Sequence, residues 1–173
     1  MTKFYAGIGS RETPVPIMNK MSNIAARLEI LGYTLRSGGA GGADKAFANG
    51  CTNKEIYVPW DGFNGNKITF AIPQEAYTIA EGIHPGWQYL SPAAKTMMAR
   101  NAMQILGPEL NSPSSFVVCW TKDGCFNKET RTNKTGGTGQ AIAHADMLSI
   151  PVFNLANQSH YLRIHQFLNK HSS

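Results

Sequence analysis

Residues 35–50 read LRSGGAGGADKAFANG, with five glycines in sixteen positions. The segment starts as a strand and ends as a helix, so the glycines fall where a strand turns into the following helix. Bare glycines let backbone N–H groups approach an anion, and a helix start adds partial positive charge. The same glycines also suit a tight turn with close helix–sheet packing. A second such segment, TGGTGQA at 135–141, also leads into a helix. Neither matches GxGxxG, and neither carries the Gly-Lys-Ser/Thr of a P-loop, which disfavours a standard dinucleotide or ATP site.

Outward from these turns, strands alternate with helices. Apolar strands are predicted at 3–8, 33–36, 55–60, 115–120 and 151–155. Ile17, Met21, Ile24, Leu28 and Leu31 recur in steps of four and three, which predicts a helix over 13–32 capped by Thr13 and stopped by Gly32. A short helix is read at 43–50. Ser91, Pro92 and Gly107 bracket a helix at 91–107, and further helices are read at 138–149 and 158–170. Residues 61–87 give mixed signals and are read as a loop with one helix. The alternation predicts an α/β domain, doubly wound, with a mainly parallel five-stranded sheet and helices on both faces. The third, second, first, fourth and fifth strands then lie side by side, and the order reverses between the first and the fourth. Ligands in such sheets bind beyond the strand carboxyl ends at that reversal. GIGSR (7–11), SGGAGGAD (37–44) and the stretch from Thr121 to TGGTGQA all leave the sheet at this edge.

Composition sets bounds. The 173 residues suit one domain, 1–173, and 42% are hydrophobic. No apolar run is long enough to span a bilayer, and residues 1–12 lack the anatomy of a secretory leader. The odd set Cys51, Cys119 and Cys125 has no CxxC spacing, so neither a disulfide framework nor a zinc site is expected, and a cytoplasmic location fits. Of the five histidines, only His160 and His165 come near a metal spacing, one step off the i, i+4 pairing, and they are read as surface residues on the tail helix. The net charge of +5 permits a phosphate-bearing partner without requiring one.

GIGSR, SGGAGGADKAF, HPGWQYLSPAAKTMMARNAMQ and FVVCWT…TGGTGQAIAHA resemble the SLOG superfamily of Rossmann-like proteins over most of residues 4–154. That superfamily includes the Lonely Guy nucleotide phosphoribohydrolases and the DNA-processing protein A family of single-strand DNA binders. The chain is most similar to small DNA-processing-protein-A-like proteins common in phage genomes. The resemblance implies binding of a small phosphate-bearing nucleotide or nucleotide-derived signal without turnover. In a phage this would sequester a host immune signalling nucleotide in the host cytoplasm. The alternatives it implies are single-stranded DNA binding in recombination and nucleoside monophosphate N-glycosidase activity. The phosphoribohydrolases place a catalytic glutamate near the position of Ile142 or Ala143, where this chain has no acid, so catalysis is disfavoured. Arg100 and Asn101 match an Arg-Asn pair of the family and are implied phosphate or ribose ligands.

The expected ligand-binding set is Gly9, Ser10, Arg11, Ser37, Gly38, Gly39, Gly41, Gly42, Asp44, Trp60, Trp87, Arg100, Asn101, Thr121, Gly136, Gly137, Thr138, Gly139 and Gln140. Arg11 suits bidentate phosphate binding, or is a solvent-facing loop residue. Asp44 accepts ribose hydroxyls or stabilises its helix start. Trp60 and Trp87 stack a base, or, for Trp87, close a turn with His84. Arg100 binds phosphate or makes a surface salt bridge. No cofactor or metal is expected. Residues 121–135 form a basic connection carrying Lys122, Lys128, Arg131 and Lys134, read as a lid, a hairpin arm or a disordered stretch. Residues 158–173 are a terminal helix and tail. Homo-oligomers are expected, with Met97, Met98, Met103, Tyr161, Ile164 and Leu168 serving as partner surface or as core.

Overall fold

The computed structural model describes residues 2–171. Five strands form one sheet: β1 (Lys3–Gly7), β2 (Tyr33–Ser37), β3 (Lys54–Ile56), β4 (Val117–Cys119) and β5 (Val152–Asn154). The order is β3-β2-β1-β4-β5, with every neighbouring pair parallel. The six α-helices are α1 (Val15–Ile30), α2 (Ala43–Asn49), α3 (Gln74–Ile83), α4 (Pro92–Leu106), α5 (Thr138–Met147) and α6 (Gln158–Lys170). The expected strand order and reversal between β1 and β4 are therefore present. Short 3-10 turns at Phe63–Gly65 and Trp87–Tyr89 flank α3 in the stretch of mixed signals.

Two apolar layers cover the sheet. On one face, α1 buries Met21, Ile24, Ala25 and Leu28 against Tyr5, Leu35, Phe47 and Phe116, together with Ile164 and Leu168 of α6. On the other, Ile105, Ala141, Ile142 and Ala145 pack on Ala6, Val117 and Cys119. Leu28, Leu35 and Ile142 are wholly buried; each such side chain contributes about 1.5–3 kcal/mol relative to exposure.

Several expectations are corrected. Thr13 does not cap α1: its hydroxyl donates to the Ser10 carbonyl (2.6 Å), and Pro14 holds the cap position. Strand β3 ends at Ile56, leaving Trp60 in the loop beyond it. Met103, Ile164 and Leu168 belong to the core, so they offer no partner surface. His144 on α5 is buried, and desolvation holds it down to about 4. No described helix is long and apolar enough to cross a membrane.

Arg36, on β2, is 1% exposed. Its guanidinium bonds Glu55 (3.3 Å), Ser114 Oγ (3.1 Å), Ser112 Oγ (3.0 Å) and the Ser112 carbonyl, and lies 3.9 Å from the centre of the Phe4 ring. A buried cation is tolerable only when its donors are matched in this way. Arg36→Ala orphans these acceptors, and a cost of about 3–5 kcal/mol is expected, read as a lower denaturant midpoint in chemical unfolding.

Candidate phosphate-binding cleft

A cleft of about 330 Å³ opens at the carboxyl edge of the sheet, over the β1–β4 reversal. The β1–α1 turn supplies Ile8, Gly9, Ser10, Arg11 and Glu12. The β2–α2 segment supplies Ala40 and Asp44, and α4 supplies Met97, Met98, Arg100, Asn101 and Gln104. The β4–α5 connection supplies Lys122, Lys134, Thr135, Gly136 and Gly137, and Thr138 opens α5. The structure thus gathers Gly9, Ser10, Arg11, Asp44, Arg100, Asn101, Gly136, Gly137 and Thr138 around one space.

Arg100 organises its wall. It is 4% exposed, so it makes no surface salt bridge. Nη1 donates to the carbonyls of Gly38 and Tyr57 (2.9 Å to the latter), and Nε donates to Asn101 Oδ1 (3.0 Å). Asn101 Nδ2 then donates to the Gly137 carbonyl (3.2 Å). The Arg-Asn pair therefore ties both glycine turns to α4. Burial lowers the arginine's pKa, with Asp44 opposing.

The first glycine turn packs closely against its neighbours. A Cβ on Gly38 would lie 2.5 Å from Gln104 Nε2, 2.6 Å from Arg100 Nη1 and 2.8 Å from Asp44 Oδ2. One on Gly42, whose φ is +70°, would strike the Ser10 and Arg11 backbone. Gly39 accepts hydrogen bonds from Asn64 (3.2 Å) and Asn66 (3.1 Å). The carboxylate nearest this turn is the chain's own: Asp44 Oδ2 accepts the Ala40 N–H (3.2 Å). Burial raises Asp44 to about 6, although Arg100, the Ala40 N–H, Ser37 and Gly38 all favour its charged form. Helix α2, at seven residues, adds little dipole. Gly38, Gly39, Gly41 and Gly42 do not line the cleft, which corrects the symmetrical two-turn cradle expected from sequence.

In the second turn Gly136 and Gly137 themselves line the cleft. Gly139 and Gln140 N–H groups bond back to Gly136 and Gly137 carbonyls (3.1 and 3.2 Å), while those of Gly137 and Thr138 have no backbone acceptor among the described residues. They head the ten-residue α5 at the cleft. Gly136 and Gly137 are exposed, with no side-chain crowding at Gly136. Arg11, Lys122 and Lys134 stand exposed at the rim, without a side-chain hydrogen bond or ion pair among the described residues.

The connection before this turn is folded around Asp123, which corrects the hairpin reading: residues 121–135 contain no strand. Burial raises the Asp123 carboxyl, but hydrogen bonds from Thr132, Thr135, Thr121 and the Cys125 N–H outweigh it and hold it at about 2. The Thr132 bond is 2.6 Å and the Thr121 bond 2.8 Å. Asn154 at the end of β5 bonds Thr121 Oγ1 (2.7 Å) and the Cys125 carbonyl (2.8 Å).

The remaining candidates lie elsewhere. Ser37 is buried and donates to the Gly7 carbonyl (2.6 Å). Thr121 is buried under the connection just described. Gly139 sits under Arg131. Gln140 faces α3, donating to the Ala80 carbonyl (3.0 Å) with its Oε1 unpaired. Trp87 lies beneath Lys95 (5.4 Å), after a turn in which His84 Nδ1 accepts the Gly86 N–H (3.0 Å). Ile142 and Ala143 are buried, and Asp146 accepts the Lys128 N–H (3.0 Å) away from the cleft, where the acids are Glu12 and Asp44. Sequence reading missed Gln104 and the two rim lysines as cleft residues. The basic run around Lys122 and Lys134 was the available signal, without the loop path that selects these two.

Crowding at Gly38 and open space at Gly41 generate a paired prediction. Gly38→Ala is expected to destabilise by about 1–3 kcal/mol, because the new methyl displaces Gln104, Arg100 or Asp44. Gly41→Ala meets nothing within 4 Å and is expected to stay within about 0.5 kcal/mol of the parent. Thermal melts of the two variants side by side check both.

No family model matches the chain, and no curated protein matches it. Among solved structures it is similar to DNA processing protein A from Helicobacter pylori, whose structure addresses a single-stranded DNA binding mode. The TM-score is 0.62 at 18% identity, covering 97% of this chain and 79% of that one. At that identity the likeness establishes a shared Rossmann-like α/β fold.

Proposed function

We propose that this chain binds single-stranded DNA, seating a backbone phosphate between the start of α5 and the rim formed by Arg11, Lys122 and Lys134. The observation that carries the reading is that these three cations are unpaired among the described residues and line the same cleft as Gly137 and Thr138, whose N–H groups have no backbone acceptor among the described residues. The fold shared with a single-strand binder supports it. Arg100 and Asn101 act here as positioning residues: Arg100 Nη1 and Asn101 Nδ2 donate to the protein's own backbone carbonyls, and Arg100 Nε donates to Asn101 Oδ1.

A second reading, binding of a small phosphorylated nucleotide, rests on the cleft volume of about 330 Å³, within the range of small-molecule sites. Sequestration of a signalling nucleotide in a phage setting is one form of it. The two readings separate in solution. Anisotropy of a labelled thymidine oligonucleotide is expected to show binding that weakens with salt, with a log–log slope of about −2, as three cations neutralise phosphates. Lys134→Ala and Lys122→Ala are each expected to weaken binding about 3- to 10-fold and to reduce that slope by about 0.7. Calorimetric saturation by mononucleotides or cyclic dinucleotides, with no oligonucleotide binding, would instead establish the second reading.

The raised pKa of Asp44 adds a pH dependence. Above about pH 6 its carboxylate is charged and repels a phosphate; below, it is neutral. The other charged groups lining the cleft are Arg11, Glu12, Arg100, Lys122 and Lys134, and a phosphodiester does not titrate in this range. Affinity for an oligonucleotide lacking terminal phosphates is expected to rise about 3- to 10-fold from about pH 7.5 to about 5.5. Asp44→Asn, which keeps an acceptor for the Ala40 N–H, should bind tightly throughout and flatten the profile.

A further inference from the structure

The loop after β3 is built as a platform beside the cleft. Asn64 and Asn66 both bond the Gly39 carbonyl, one residue before Ala40 on the cleft wall. The loop closes on itself through the Gly62 N–H to the Asn66 carbonyl (2.8 Å) and the Phe63 N–H to the Trp60 carbonyl (3.2 Å). Its Asp61 carboxylate accepts the Ile68 N–H (2.9 Å). These bonds hold up two aromatic rings that belong to none of the core clusters. Trp60 is 42% exposed and meets Phe63 edge to face, with centroids 5.4 Å apart at 87°. Phe63 in turn lies 5.6 Å from the guanidinium carbon of Arg100, which lines the cleft.

We propose that Trp60, braced by Phe63, is a base-stacking subsite for the nucleotide adjoining the phosphate in the cleft. The proposal rests on the single-stranded DNA reading and adds a second kind of contact to it. A cationic rim holds phosphates without regard to sequence and loses its grip as salt rises. An aromatic face holds any base, and its contribution survives salt. Charge complementarity selects the occupant: an exposed tryptophan joined through Phe63 to the cleft wall at Arg100, beside a cleft whose rim carries Arg11, Lys122 and Lys134, suits a ligand that alternates anionic phosphate with flat aromatic base. The edge-to-face contact limits rotation of the indole, so little ordering entropy is lost on stacking.

The experiment compares an ordinary oligonucleotide with one of equal length made of abasic sites, against the full chain and two variants. Trp60→Ala is expected to weaken binding of the ordinary strand by about ten-fold or more, with its salt slope unchanged and abasic-strand binding unaffected. Trp60→Phe should restore most of the loss. An oligonucleotide carrying 2-aminopurine should be quenched on binding to the unaltered protein, a readout independent of any variant's folding. Salt-dependent binding with equal affinity for both strands and no quenching would overturn the subsite while leaving the phosphate reading standing. Failure of both strands to bind the unaltered protein would overturn both readings.

Discussion

The cleft depends on one buried cation. Arg100 brings a guanidinium into the interior, where an uncompensated charge would cost several kcal/mol. The ends of β2 and β3 compensate it by turning carbonyls of Gly38 and Tyr57 toward it. Through Asn101 the same side chain reaches the Gly137 carbonyl. Three chain segments that meet only in space are thereby held to one helix, α4. The absence of a side chain at Gly38 follows directly, because Gln104, Arg100 and Asp44 already occupy the space a Cβ would need. Asp44 is the consequence in the other direction: it lies close enough to feel the cation, yet burial dominates and leaves it easily protonated.

A division of labour follows between buried and exposed polar groups. Arg100, Asn101 and Ser37 are buried and donate to the protein's own backbone carbonyls. Asp123 and Asn154 brace the long connection into α5. Their hydrogen bonds give a segment without strand or helix a defined path. That path brings Lys122 and Lys134 to the same rim as Arg11. Exposed cations on such a frame keep their hydration and mobility, whereas a buried cation bonded to the protein's own carbonyls contributes position. The two glycine turns, alike in sequence, fall on opposite sides of this division. In one, Gly38 is crowded by the protein's own side chains, and in the other Gly136 and Gly137 line the cleft.

What the sequence determined by itself was the architecture. The four-three spacing of Met21, Ile24 and Leu28, the Ser91 cap of α4 with its Ala94 N–H bond (3.1 Å), and the regular alternation of strands and helices are local signals. Local signals of that kind set the parallel sheet, its order and hence the edge where a site belongs. The tertiary structure decided what each polar residue at that edge is for. Arg100 and Gly38 are 62 positions apart, and nothing local to either says that the arginine is buried against that carbonyl. Asn154 and Thr121 are separated by 33. Which glycine is bare for packing and which faces the cleft depends on where α4 lies, and the choice of Lys122 and Lys134 from a basic run depends on the path around Asp123. Periodicity and capping are properties of a few consecutive residues, so they are written in order along the chain. Convergence of side chains from five segments is a property of the packed core, and it exists only once that core has formed.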